Sequence, residues 1–167
     1  HDVVHLLVFG LKQNELISKE NSDIEKYFLK AVYRYERLRY EYDNLCSALE
    51  KARIPFLPLK GSVIRKYYPE AWMRTSCDID VLVHEKDSEK AVSVLVDGYG
   101  YVYHGKRSHD ISLFAPTKTH IELHYDLVED GIAKEASEVL KNVWDMAELR
   151  DGYAFLHEMP DEYYYFY

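Results

Sequence analysis

Cysteine is nearly absent: Cys46 and Cys77 are the only two in 167 residues, and no CxxC spacing joins them. A disulfide framework and a zinc knuckle are excluded, and a reducing cytoplasm is the expected compartment. Basic charge is also short. Lys and Arg number 21 against 29 Asp and Glu, a formal net charge of −8. Bulk charge cannot hold a nucleic-acid backbone on such a chain, so a phosphate ligand needs a local basic pocket or a bound cation. No apolar run approaches the roughly 18 residues of a membrane span, so no membrane partner is expected. No internal repeat or low-complexity linker interrupts the sequence.

Tyrosine, in contrast, is plentiful at 16 residues. Most fall at helical core spacing or in the terminal group Tyr163, Tyr164, Tyr165 and Tyr167. They read as packing residues with the hydroxyl in water. The length suits one domain that buries about two thirds of its unfolded surface without a structural metal.

Three regions are expected. Residues 1–53 form an N-terminal helical segment. Within it Ser22 to Glu25 is a capping box. Apolar and aromatic residues then recur in threes and fours from Ile24 to Leu49, the period of one helix face. Residues 54–150 form the core: strands at 56–59, 79–83, 99–104, 111–114 and 119–125, and helices at 63–68, at 88–97 capped by Asp87, and at 133–144. Residues 151–167 read as the start of a C-terminal helical region, opened by Pro160, Asp161 and Glu162. The start at His1 inside an apolar stretch and the stop at Tyr167 lead us to expect a fragment. The order predicts an α/β (α+β) architecture with a small mixed sheet flanked by helices.

Asp78 and Asp80 open an apolar strand. Residues i and i+2 share a face, so two carboxylates repel there unless a cation or solvent compensates. A solvated strand start is the plain alternative. Glu122 alternates with Ile121 and Leu123 on a later strand and is a third acid that can converge on the pair. Three carboxylates form a hard-oxygen site suited to Mg²⁺ or Mn²⁺. Upstream, Lys60-Gly61-Ser62 follows an apolar strand, where Gly61 permits close backbone approach to a ligand.

Taken together, Leu57-Pro58-Leu59-Lys60-Gly61-Ser62, Tyr68-Pro69, Arg74 to Val83 with its Asp78-Ile79-Asp80, and Ile121-Glu122-Leu123-His124-Tyr125 resemble the polymerase-beta-like nucleotidyltransferase superfamily. More narrowly they are similar to a bacterial subgroup of nucleotidyltransferase family proteins with LKG, YP, RxxxDIDLLV and (D/E)LHW patterns. Val81 and Tyr125 depart from the usual Leu and Trp. The resemblance covers residues 55–127 and implies a metal-dependent transfer of a nucleoside monophosphate from an NTP to a hydroxyl, with release of pyrophosphate. It implies that Asp78, Asp80 and Glu122 hold the divalent ions and carry catalysis. Gly61 and Ser62 would cradle the β- and γ-phosphates, with Lys60 and Arg74 as the nearest cations. The acceptor could be a small molecule, a protein side chain or a tRNA end. Two other readings are a catalytically silent binding module of the same fold and a zinc hydrolase built on His120, Glu122 and His124. For the latter, His104 and His109 are the candidate fourth ligands. Cys77 reads as a buried packing thiol, and Lys106 and Arg107 as a solvated loop.

Overall fold

The computed structural model describes residues 3–16, 22–128 and 140–165. Five strands form one mixed sheet: β1 (Phe56–Pro58), β2 (Asp78–Val83), β3 (Val102–Lys106), β4 (Asp110–Phe114) and β5 (His120–His124), in the order β1-β2-β5-β4-β3. The β2–β5 pair is parallel and the other neighbours are antiparallel. The expected α/β architecture with a small mixed sheet and N-terminal helices is the one observed.

Strict alternation gives the sheet two unlike faces. Ile79, Val81 and Val83 of β2, Ile121 and Leu123 of β5, and Ile111 and Leu113 of β4 are all buried in one core. The same core takes Leu38, Leu45 and Leu49 from the long helix α2 (Ser22–Ala52) and Ala91 from α4 (Glu85–Ser93). Each buried Leu or Ile contributes about 2 kcal/mol relative to exposure. On the opposite face Leu57 and Leu82 join Leu140, Val143, Met159 and Tyr164 in a second apolar cluster beside β1. The remainder of that face is polar and carries the acids.

Helix α2 is about 45 Å long, and its two halves differ in what they touch. The later half covers the sheet. The earlier half meets α1 (Val4–Gln13) around Trp72, whose ring lies 4.9 Å from Phe28 and 5.5 Å from Phe9. Lys12 pairs with Glu25 at 3.4 Å. Helix α2 is described from Ser22 onward, and the expected capping box rests on side chains of residues 22–24 that lie outside those described.

Several local expectations need correction. The helix expected over 63–68 begins earlier: Lys60, Gly61 and Ser62 open a short helix, α3 (Lys60–Val63), which runs on into a 3-10 turn over Ile64–Tyr67. Helix α4 begins at Glu85, so Asp87 sits in its first turn and is not its cap; Ser88 instead donates its hydroxyl to the Glu85 carbonyl at 2.7 Å. The strand expected over 99–104 is β3 at Val102–Lys106, so it takes in Gly105. That residue lies at a register shift, where a glycine lets the strand bulge. The tyrosines are less a core than expected: Tyr27, Tyr33 and Tyr40 are exposed along α2, while Tyr101 and Tyr164 are buried. The phenol oxygen lets a tyrosine sit at the surface at little cost. Cys77 is exposed. Of the helix expected over 133–144, residues 133–139 lie outside those described; a short helix, α5 (Val143–Met146), follows them.

Past α5 the chain forms a small hairpin, β6 (Glu148–Leu149) with β7 (His157–Glu158). The Phe56 N–H donates to the Phe155 carbonyl at 3.0 Å. The Glu50 carboxylate accepts the N–H groups of Ala154, Phe155 and Leu156 at 3.2, 2.8 and 2.7 Å. This loop is thereby tied to both α2 and β1. After Pro160, a 3-10 helix spans Asp161–Tyr165. Among the described residues, no helix is long and apolar enough to cross a membrane.

Candidate active site

Strand register assembles the polar face. Parallel pairing sets Asp78 opposite His120 and Asp80 opposite Glu122. Antiparallel pairing sets Ser112 opposite Glu122 and Asp110 opposite His124. Side chains directly opposite on adjacent strands share a face with Cβ atoms about 5 Å apart. Asp80 and Glu122 therefore meet, and His124 Nε2 lies 3.8 Å from Asp80 Oδ1 and 3.8 Å from Glu122 Oε2. One ligand atom from each of Asp80, Glu122 and His124 lies within 4.8 Å of the other two. Asp78 sits one pleat before Asp80 on the same face.

The glycine bend abuts this group. The Leu59 N–H donates to the Asp80 carbonyl at 2.9 Å, which fixes α3 beside the strand. A Cβ placed on Gly61 would lie 3.3 Å from Asp80 Oδ2. The missing side chain is thus the room in which the carboxylate stands. Two carboxylates and an imidazole around that room are a donor set that could hold a divalent cation such as Mg²⁺ or Mn²⁺.

Charge is unevenly balanced here. Burial raises the Glu122 pKa above the ordinary glutamate range, Asp80 and Asp110 add to the rise, and His120 and His124 oppose it. The Arg107 guanidinium reaches in from the β3–β4 loop, 3.6 Å from Glu122 Oε1 and 3.4 Å from Asp110 Oδ2. A carboxyl with a raised folded pKa adds stability at pH below its unfolded value and loses it as pH climbs through the folded one. Glu122→Gln removes that loss. In metal-free protein we expect the variant to melt higher than the wild type at about pH 7, with the gap closing towards about pH 4. Thermal melts of both proteins across that range check it; a gap that grows in acid would contradict the assignment.

A cavity of about 340 Å³ opens at Asp78, within the roughly 300–1,000 Å³ of small-molecule sites. Asp78, Ser62, Arg65 and Lys66 line one side, Tyr35 and Arg39 of α2 another. Arg150 and Glu158, paired at 3.3 Å, close it from the C-terminal hairpin. Arg65 is more than a wall. Its guanidinium donates to the Ala71 carbonyl at 3.1 Å, to the Arg74 carbonyl at 2.7 Å and to the Ser76 hydroxyl. It thereby ties down the loop that delivers Asp78 into β2. Burial, then Arg74, pulls its pKa down, while Tyr35 and Asp78 hold it up.

Of the residues singled out in the sequence, Gly61, Asp80 and Glu122 come together, and Ser62 and Asp78 share the cavity. Lys60 lines a separate cavity of about 290 Å³ with Tyr67 and Asp161. Arg74 is half-buried, and its carbonyl accepts from Arg65. His120 Nδ1 lies 3.9 Å from Glu122 Oε1, but His120 does not join Glu122 and His124 as a third ligand. Four residues of strand span about 13 Å, and His120 Nε2 instead meets the Ser112 hydroxyl at 2.7 Å. His104 packs on Phe114, with ring centroids 5.4 Å apart. Sequence reasoning passed over Arg65 and Lys66, and it read Arg107 as part of a solvated loop although that guanidinium reaches Glu122 and Asp110. Only the i, i+4 spacing of Arg65 from the glycine hinted at the first.

A family model described as an uncharacterised nucleotidyltransferase matches residues 1–165. No curated protein sequence matches the chain significantly. Among solved structures, the chain is similar to the antibiotic-resistance factor ANT(2'')-Ia, with a TM-score of 0.50, 8% identity, and coverage of 72% of this chain and 62% of that one. It is also similar to terminal uridylyl transferase 4 from Trypanosoma brucei with bound GTP, with a TM-score of 0.35, 14% identity, and coverage of 87% of this chain and 42% of that one. The chain thus spans less than two thirds of the length of either.

Proposed function

The chain belongs to the family of uncharacterised nucleotidyltransferases, and on that footing we propose that it moves a nucleoside monophosphate from an NTP to a hydroxyl acceptor and releases pyrophosphate. One observation carries this reading: Asp80 and Glu122 meet against the glycine bend, and Asp78, two residues before Asp80 on the same strand, lines a cavity with Ser62. Asp78, Asp80 and Glu122 would hold Mg²⁺ or Mn²⁺, which when bound neutralises the triphosphate and aligns attacking and leaving oxygens.

The residues of the chain do the rest. Gly61 and Ser62 approach the β- and γ-phosphates, and Arg65 and Lys66 offer positive charge from the cavity wall. Lys60 and Arg74 add charge at longer range. Glu122, with its raised pKa, accepts the proton of the acceptor hydroxyl. That oxygen bonds to the α-phosphorus as the bond to the bridging oxygen breaks, and the electron pair leaves with pyrophosphate. The acceptor is a small molecule, a protein side chain or a tRNA end. With only two cysteines, both free, we expect the reaction in a reducing cytoplasm.

Incubating the protein with Mg²⁺ and each of the four labelled NTPs in cell lysate tests the proposal. We expect label on an acceptor and release of pyrophosphate. Mg²⁺ and NTP together should also raise the melting temperature. Binding without any transfer would favour the silent module, and neither effect would remove the proposal.

A further inference from the structure

We infer that His109, Asp110 and His124 form a site for one late first-row transition-metal cation, zinc above all, next to the paired carboxylates and sharing His124 with them. A ligand atom from each of the three lies within 4.8 Å of the other two. The grouping follows from register: β4 places Asp110 opposite His124, and His109 immediately precedes it in the β3–β4 loop. The two imidazoles lie nearly parallel, with centroids 5.9 Å apart.

Asp110 supplies the second and independent reason. Its side chain is 1% exposed, and its Oδ1 has no hydrogen-bond partner among the described residues. A buried carboxylate oxygen left in that state is costly. A coordinated cation removes the cost. The other oxygen, Oδ2, faces His109 Nε2 at 3.4 Å and the Arg107 guanidinium at 3.4 Å. The Arg107 side chain is 62% exposed, so it can withdraw into water when a metal ion takes over its charge.

The donor chemistry sets the class of ion. Two imidazole nitrogens and one carboxylate oxygen suit zinc and its neighbours, whereas Mg²⁺ prefers oxygen alone. His109 Nδ1 lies 3.1 Å from the Ser108 hydroxyl. With the proton on Nδ1, Nε2 presents its lone pair, as an imidazole ligand does when its outer nitrogen is held. Three protein ligands leave a fourth position for water, and part-exposed His109 provides a route in. The inference stands whether or not the chain transfers nucleotides, because it concerns the metal alone.

The test uses the full chain, stripped with chelator and titrated with Zn²⁺ in a calorimeter, without nucleotide. We expect one equivalent to bind and to resist a large excess of Mg²⁺. Cobalt in its place should give the visible absorption of a four- or five-coordinate site. Asp78→Asn should bind zinc as the wild type does. His109→Ala and Asp110→Asn should each weaken binding by at least about tenfold. His109 lies in a loop, so its replacement is expected to keep the fold, which circular dichroism checks. No stoichiometric binding, unchanged affinity in His109→Ala, or loss of binding in Asp78→Asn would overturn the inference.

Discussion

Asp80→Asn should lower nucleotidyl transfer by about 10³-fold under saturating Mg²⁺ and NTP, the scale of losing one charge-stabilising group at a reacting centre. Asp80 faces Glu122 across the parallel ladder and stands 3.8 Å from His124. An amide keeps the shape and removes the charge that a cation needs. The fold should not suffer. Asp80 is one of the acids that raise the Glu122 pKa, so its loss relieves repulsion. In chelator, the variant should melt at or above the wild-type temperature. Single-turnover rates and melting curves decide the matter. A variant that retains more than a tenth of the rate would strip Asp80 of the role given to it.

The second large effect is expected at Gly61. In Gly61→Ala the new methyl would come within 3.3 Å of Asp80 Oδ2, tighter than ordinary contact. Asp80 has a short side chain and must turn aside by a few tenths of an ångström or more. Transfer depends on placement, and small displacements of a reacting group cost up to about 10²-fold. We expect a fall of about 10- to 100-fold in kcat/KM, with stability changed by less than about 1 kcal/mol. The double variant Gly61→Ala with Asp80→Asn should be no worse than Asp80→Asn alone, because both act through one carboxylate. Additive losses would mean that Gly61 matters for another reason.

Much of this arrangement was legible before any coordinates. Asp78-Ile79-Asp80 and His120 to His124 alternate with period two, so the carboxylates had to fall on one side and Ile79, Ile121 and Leu123 on the other. That Asp80 and not Asp78 would face Glu122 was not legible, because register is a property of two strands and no single strand contains it. The same limit hid Asp110, which looks like an ordinary hairpin residue until β4 pairs with β5. Arg65 escaped notice, and Arg107 was read as solvated, since long cationic side chains reach whatever lies near them. The α2 tyrosines misled in the opposite direction. Tyr27, Tyr35 and Tyr42 fit the stripe by spacing, yet Tyr27 is 51% exposed, on the early half of α2 that meets α1 and not the sheet. His120, Glu122 and His124 suggested a zinc triad on paper, but a strand holds its first and third members too far apart.

The far wall of the cavity comes from the strap of residues 150–158, fastened to α2 through the single carboxylate of Glu50. On the proposed reading, the groups that would hold the cation and the wall that a substrate would meet belong to different pieces of the chain. The acids stand on strands whose other face is the core, so a change there disturbs packing as well as charge. The strap hangs on Glu50 and on the Phe56 backbone, so a change within it reshapes the wall and leaves the acids where they are.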